Sequence, residues 1–223
     1  MKITALDVQK KDPNRVNLHV DGEFRIGLAA EIAWSAHLHV GDELSEEQLA
    51  ALERQDAAWK AREAALALLS FRPRTRSELQ RRLKEKGYAP EVAEETVASL
   101  GTMGLVDDSS FAEMFVRDRV RLRPKGARQL TQELRAKGVD AETARAAIGE
   151  VLEREDASET ELARRATARW RPRAGEEPQR ARRRLHGFLA RRGFGGEAIR
   201  TVMDEVLSRD AGGDDDGEDE FDE

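Results

Sequence analysis

Cysteine is absent from the 223-residue chain, which excludes disulfides and thiolate metal sites. Long apolar runs are missing too. No stretch approaches the roughly 18 residues of a membrane-spanning helix, and residues 1–30 lack the form of a secretory signal. A soluble cytoplasmic protein is the expectation. Aromatic residues make up only 5% and hydrophobic residues 39%, against 37% charged. That is too little apolar surface for one deep core, and too few aromatics for a platform that stacks single-stranded bases. Small helical units sharing a thin continuous core suit it better. Catalytic equipment is also lacking. His19, His37, His39 and His186 have no partners at metal-ligand spacing, and no Gly-rich phosphate loop is present. Asp107-Asp108 reads as a helix cap rather than a pair of acids. No enzyme activity, metal or cofactor is expected.

What is abundant is charge, unevenly placed. The net charge is −6, yet Ser208 to Glu223 holds nine acidic residues and one Arg, so residues 1–207 carry about +2. Between Glu161 and Arg200 there are twelve Arg against four Glu. A basic C-terminal half is thus followed by an acidic tail, residues 208–223, expected to be disordered; solvation and competition with DNA for the Arg face are both open roles for it.

Residues 1–55 read as a small β-containing module. Ile3, Leu6 and Val8 form one apolar run; Val16, Leu18 and Val20 alternate over a second. Asp21-Gly22 is a type I′ hairpin signal leading to Phe24 and Ile26. Leu28 to His37 predicts a short helix, and Ser45 with Gln48 predicts a capping box opening a helix towards Trp59.

Beyond Asp56 the pattern repeats. Gly87, Gly138 and Gly193, at intervals of 51 and 55 residues, each follow a basic residue and precede an apolar one. Leu79 and Leu83, Leu130 and Leu134, and Leu185 and Leu189 precede the glycines by eight and four residues. Val97 and Leu100, Ile148 and Val151, and Met203 and Val206 follow at plus ten and plus thirteen. The spacing predicts three units of three helices, residues 56–106, 107–156 and 157–207, each glycine capping a second helix. Extra residues around Ala174–Gln179 predict a loop in the third unit.

Between the first and second helix of each unit stands an apolar residue, Arg, Pro and a basic residue: Phe71-Arg72-Pro73-Arg74, Leu122-Arg123-Pro124-Lys125 and Trp170-Arg171-Pro172-Arg173. Proline ends the first helix and keeps its predecessor extended. The apolar residue is expected to anchor the corner in the core, with the cations pointing outward. Arg76, Arg81, Arg82, Arg119, Arg121, Arg128, Arg182, Arg183 and Arg184 crowd the same segments. Two readings stay open: solvated helix–turn–helix corners, or a row of cations that meets a polyanion or an acidic protein surface.

The string Arg74-Thr75-Arg76-Ser77-Glu78-Leu79, then Leu83, Lys86-Gly87-Tyr88, Gly104-Leu105-Val106-Asp107-Asp108 and Phe111-Ala112 resembles the RecX family of recombinase regulators. Ile3 to Leu44 is similar to the N-terminal extension of some members. The resemblance implies a mainly α protein of tandem three-helix repeats forming an elongated, curved, right-handed array. It further implies a monomer that binds the groove of the RecA–DNA filament, with single- or double-stranded DNA as a further partner. It would block filament growth, ATP hydrolysis, strand exchange and RecA-stimulated repressor cleavage, which places it in DNA repair, recombination and the SOS response. The alternative is a general DNA-binding repeat protein. Candidate contacts are Arg72, Arg74, Arg76, Arg81, Arg82, Arg121, Arg123, Lys125, Arg128, Arg171, Arg173, Arg182, Arg183 and Arg184.

Overall fold

Alternation in residues 16–20 buries one face of a strand, and that face nucleates the front of the molecule. The structure, a computed structural model, describes residues 1–211. β1 (Ile3–Val8), β2 (Arg15–Val20) and β3 (Glu23–Ala29) form an antiparallel meander in the order 1-2-3. Val8 pairs with Val16 and Leu6 with Leu18. Asp21 (φ 51°) and Gly22 (φ 88°) both adopt the left-handed conformation that a type I′ turn requires. Val16, Leu18 and Val20 bury against Ile3, Leu28, Ile32, Leu49 and Leu52. The short helix α1 (Ala30–Ser35) is narrower than Leu28–His37, because Leu28 and Ala29 complete β3.

The capping box forms as expected: the Ser45 hydroxyl accepts from Gln48 N–H, and the Gln48 side chain accepts from Ser45 N–H. The helix it opens does not stop near Trp59. α2 runs unbroken from Glu46 to Phe71, 26 residues, so the expected boundary between residues 55 and 56 falls inside a helix. Asp56-Ala57-Ala58-Trp59-Lys60 contains no Gly or Pro, and alanine is the strongest helix former. Asp56 also latches that helix to the sheet. Only 4% exposed, it accepts from Ala29 N–H at 2.9 Å, Arg15 at 3.1 Å and Lys60 at 2.7 Å. Burial pushes its carboxyl upward, but these donors and the Arg15 charge outweigh it and hold the pKa below its ordinary value.

The remaining helices are α3 (Arg76–Glu85), α4 (Pro90–Thr102), α5 (Asp108–Leu122), α6 (Ala127–Ala136), α7 (Ala141–Arg154), α8 (Glu159–Thr167), α9 (Pro178–Arg191) and α10 (Gly196–Ala211). They complete three three-helix repeats: the C-terminal part of α2 with α3 and α4, then α5–α7, then α8–α10. Each second helix ends in the same device. Tyr88, Val139 and Phe194 N–H bond Leu83, Leu134 and Leu189 C=O, while Gly87, Gly138 and Gly193 bond one residue further on. These are Schellman caps, and the glycines supply φ of 92°, 87° and 79°. The three capped leucines are fully buried, as are Leu79, Leu130 and Leu185 or nearly so. Asp107 caps α5 through Ser109 and Ser110 N–H, as its sequence suggests.

The chain divides into two compact units, Met1–Val106 and Asp107 onward. In the first, Ala65, Leu79, Leu83, Ala93, Val97, Leu100 and Val106 form the core of one repeat. In the second, one continuous core runs from Phe111 to Met203 through both repeats. There the backbones of Gly126 and Gly193 nearly touch: a Cβ on Gly126 would lie 2.2 Å from Gly193 O, and Gly126 N–H bonds Arg192 C=O at 2.9 Å. The tail expected to be disordered from Ser208 overlaps α10, which continues to Ala211; residues 212–223 lie outside the described residues. No described helix is long and apolar enough to cross a membrane.

Candidate functional site

At the first corner the expected polarity is reversed. Phe71 is 85% exposed, and the cations turn inward onto Glu78, whose side chain is 7% exposed. Helical phase explains the aromatic. Phe71 stands six residues past buried Ala65, about 240° around the helix, and Leu122 stands six past buried Val116. Both leave the core face, and Leu122 is accordingly 78% exposed. Arg72, extended before Pro73 at φ −168°, donates to Glu78 at 3.1 Å. Arg74, 10% exposed, donates to the same carboxylate and, through Nε, to Leu68 C=O at 3.1 Å. A cation is thereby placed on the last turn of α2, where the helix dipole favours it. Burial raises the Glu78 pKa, but the hydrogen bonds and charges of Arg72 and Arg74 prevail and hold it low. Arg76 lies across Gly101, where a Cβ would come within 2.4 Å of its guanidinium. Arg81 and Arg82 share Glu85, at 3.7 and 2.8 Å.

The second corner repeats the clamp from another position. Lys125 pairs with Glu133, which Arg119 and Gln129 also reach, at 3.4 and 3.1 Å. Here too burial works against the carboxylate, and Lys125 and Gln129 hold its pKa low. Arg121 forks onto Glu155 at 3.0 and 2.7 Å. Arg123 and Arg128 are exposed and make no ion pair among the described residues.

The third corner follows the expectation for its apolar residue. α8 ends at Thr167, so Trp170 is free of helical phase and folds inward, 8% exposed. Arg184 lies 4.5 Å over the indole and bonds Glu176 at 3.1 and 2.9 Å. Glu176 comes from the extra loop, which supplies the carboxylate that the repeat pattern lacks here. Among the described residues Arg171 bonds only backbone oxygens, of Ala168 at 3.2 Å and Trp170 at 2.7 Å. Arg173 offers Glu176 its backbone N–H at 3.0 Å, Arg183 reaches Gln179 C=O at 3.4 Å, and Arg182 stands 3.7 Å from Asp204.

The candidate cations therefore fall into two groups. Arg72, Arg74, Arg121, Lys125 and Arg184 are held by carboxylates and shape the corners; Arg76, Arg81, Arg82 and Arg182 are also engaged. Arg123, Arg128, Arg171, Arg173 and Arg183 make no ion pair among the described residues. Arg169 and Arg180 join this second group and were missed in the sequence, because they lie outside the aligned motif. Only their weight in the local Arg excess pointed to them.

Comparison with known proteins assigns each segment. Residues 1–45 match the regulatory protein RecX N-terminal domain. Residues 61–100, 107–148 and 158–203 match the first, second and third three-helix domains of RecX. A regulatory protein RecX of Prosthecochloris aestuarii is 36% identical over 149 residues, 67% of this chain and 95% of that protein. One of Amycolatopsis mediterranei is 41% identical over 149 residues, 66% of this chain and 83% of that protein. A crystal structure titled regulatory protein RecX is 26% identical, with a TM-score of 0.75 over 92% of this chain and all of that one. The chain belongs to the RecX family of regulatory proteins.

Proposed function

We propose that this protein is a non-enzymatic negative modulator of the RecA recombinase. It binds in the groove of the RecA–DNA filament and inhibits filament growth, ATP hydrolysis, strand exchange and coprotease activity. It acts as a cytoplasmic monomer, in DNA repair, recombination and the SOS response. The observation that carries this reading is the set of exposed cations Arg123, Arg128, Arg171, Arg173 and Arg183, which make no ion pair among the described residues, at the helical corners of a RecX-family chain. Their partners of matching chemistry are DNA phosphates and acidic protein surface, while Arg74, Lys125 and Arg184 keep the corners in shape.

The test is RecA ATPase on single-stranded DNA, with filament binding measured alongside. Wild-type protein should suppress the ATPase; failure to alter it or to bind the filament sinks the proposal. Paired reversals, Arg123→Glu with Arg128→Glu and Arg171→Glu with Arg183→Glu, should each weaken inhibition by roughly tenfold or more. The cation excess also favours a second reading, general DNA binding. Under that reading naked-DNA affinity falls steeply with salt, and the reversals cost naked-DNA binding and inhibition equally.

A further inference from the structure

Several cations of the third repeat make no ion pair among the described residues. α10 packs along α8 and α9, and its last turns run past the third corner. Glu205 and Val206 line a groove with Trp170, Arg171 and Pro172, and Leu207 lines another with Pro172, Pro178 and Arg182. Of the described carboxylates nearby, Glu176 is engaged by Arg184, Glu205 by Arg164 and Asp204 by Arg182, while Glu177 at the start of α9 makes no ion pair among the described residues. Arg171, Arg173, Arg180 and Arg183 are exposed around the same end of α9 and lack such a partner among the described residues. Beyond Ala211 come two glycines and then eight acidic residues among positions 214–223. Twelve residues reach up to about 40 Å when extended, and Glu205, Val206 and Leu207, which line these grooves, lie within two turns of the end of α10.

We propose that acidic residues 214–223 occupy the cationic face formed by Arg171, Arg173, Arg180 and Arg183, as an internal competitor for polyanions. Charge complementarity and the exit point of α10 select this occupant. A tethered acidic segment acts at an effective concentration in the millimolar range, so it outcompetes weakly bound phosphate and yields to a dense phosphate array. It screens the corner from stray nucleic acid without closing it to a filament. The competition, though not the docking, rests on the polyanion-binding role proposed above.

Two measurements separate docking from competition. Arg183→Lys places an amine on a repeat that has none between Glu161 and Arg200. Zero-length carbodiimide coupling of that full-length variant, mapped by mass spectrometry, should join position 183 to an acidic residue of 214–223 within one chain, less so at high salt. Absence of that link, with the tail coupled to amines elsewhere or to none, overturns the proposal. In parallel, a chain ending at Ala211, and one with the eight acids changed to Asn or Gln, should bind a fluorescent single-stranded oligonucleotide roughly tenfold more tightly at low salt, the gain shrinking as salt rises. A link with unchanged affinity upholds the docking and overturns the polyanion role of this corner. Tighter binding by truncation but not by neutralisation overturns the electrostatic docking.

Discussion

The first and third corners share one motif, an apolar residue, Arg, Pro and Arg, and place its side chains in opposite senses. At the first, Phe71 faces solvent while Arg72 and Arg74 converge on buried Glu78. At the third, Trp170 is buried under Arg184, and Arg171 bonds the backbone oxygens of Ala168 and Trp170. The motif thus specifies that a helix stops before the proline, and the side-chain arrangement depends on how far before it that happens. α2 ends two residues before Pro73, α8 five before Pro172. A corner whose arginines are clamped is scaffold; a corner whose arginines remain open is surface.

Substitutions at equivalent positions separate these roles. Trp170→Ala should destabilise the second unit by roughly 3–5 kcal/mol, as an emptied aromatic site does, whereas Phe71→Ala should change stability by less than about 0.5 kcal/mol. Thermal unfolding checks both, and equal effects would erase the contrast. The repeat glycines divide in the same way. A Cβ on Gly193 meets Gln129 backbone at 2.3 Å, whereas one on Gly87 meets nothing within 4 Å. Gly193→Ala should therefore cost about 3 kcal/mol, and Gly87→Ala only about 1 kcal/mol for its left-handed backbone.

Glu78→Gln should cost about 2–3 kcal/mol, since it leaves nearly buried Arg74 without a counter-charge. Because the folded Glu78 pKa is depressed, its contribution is fully present above the unfolded value, near about pH 4.3. It disappears as pH falls through the lower folded value. Acid unfolding of the variant should accordingly be shallower below that pH; an unaltered profile would remove Glu78 from the clamp. Arg123→Ala should have the smallest effect on stability, under about 0.5 kcal/mol. Its effect should appear instead as a reduced salt slope of DNA or filament binding.

Much of this organisation was legible in the sequence. The period near 50 residues, the glycine caps and the leucine pairs marked the repeats because Schellman caps impose a local backbone requirement. The hairpin at Asp21-Gly22 and the caps at Ser45 and Asp107 were legible for the same reason. The clamps were not. Glu78, Glu133 and Glu176 occupy three different places relative to the repeat glycines, so no alignment of the units brings them together. The inward turn of Arg74 and Lys125 depends on those acids, and the outward turn of Phe71 and Leu122 on helical phase counted from Ala65 and Val116. The continuity of α2 was missed because the capping-box helix and the first helix of the repeat were read as separate elements of two modules, 1–55 and 56–106.

That shared helix has a consequence for how the chain comes off the ribosome. The sheet cannot finish its core until Leu49, Leu52 and Asp56 have emerged, and the same helix continues into the first wall of the first repeat. Front module and first repeat are therefore joined by one rigid rod about 39 Å long, rather than by a linker. A cut between Asp56 and Ala61 would leave the latch on a fraying helix end, without Lys60 when it falls before that residue, and would take the starting turn from the repeat. The front module cannot be exchanged as a cassette; it is inherited, folded and lost with the repeat it begins.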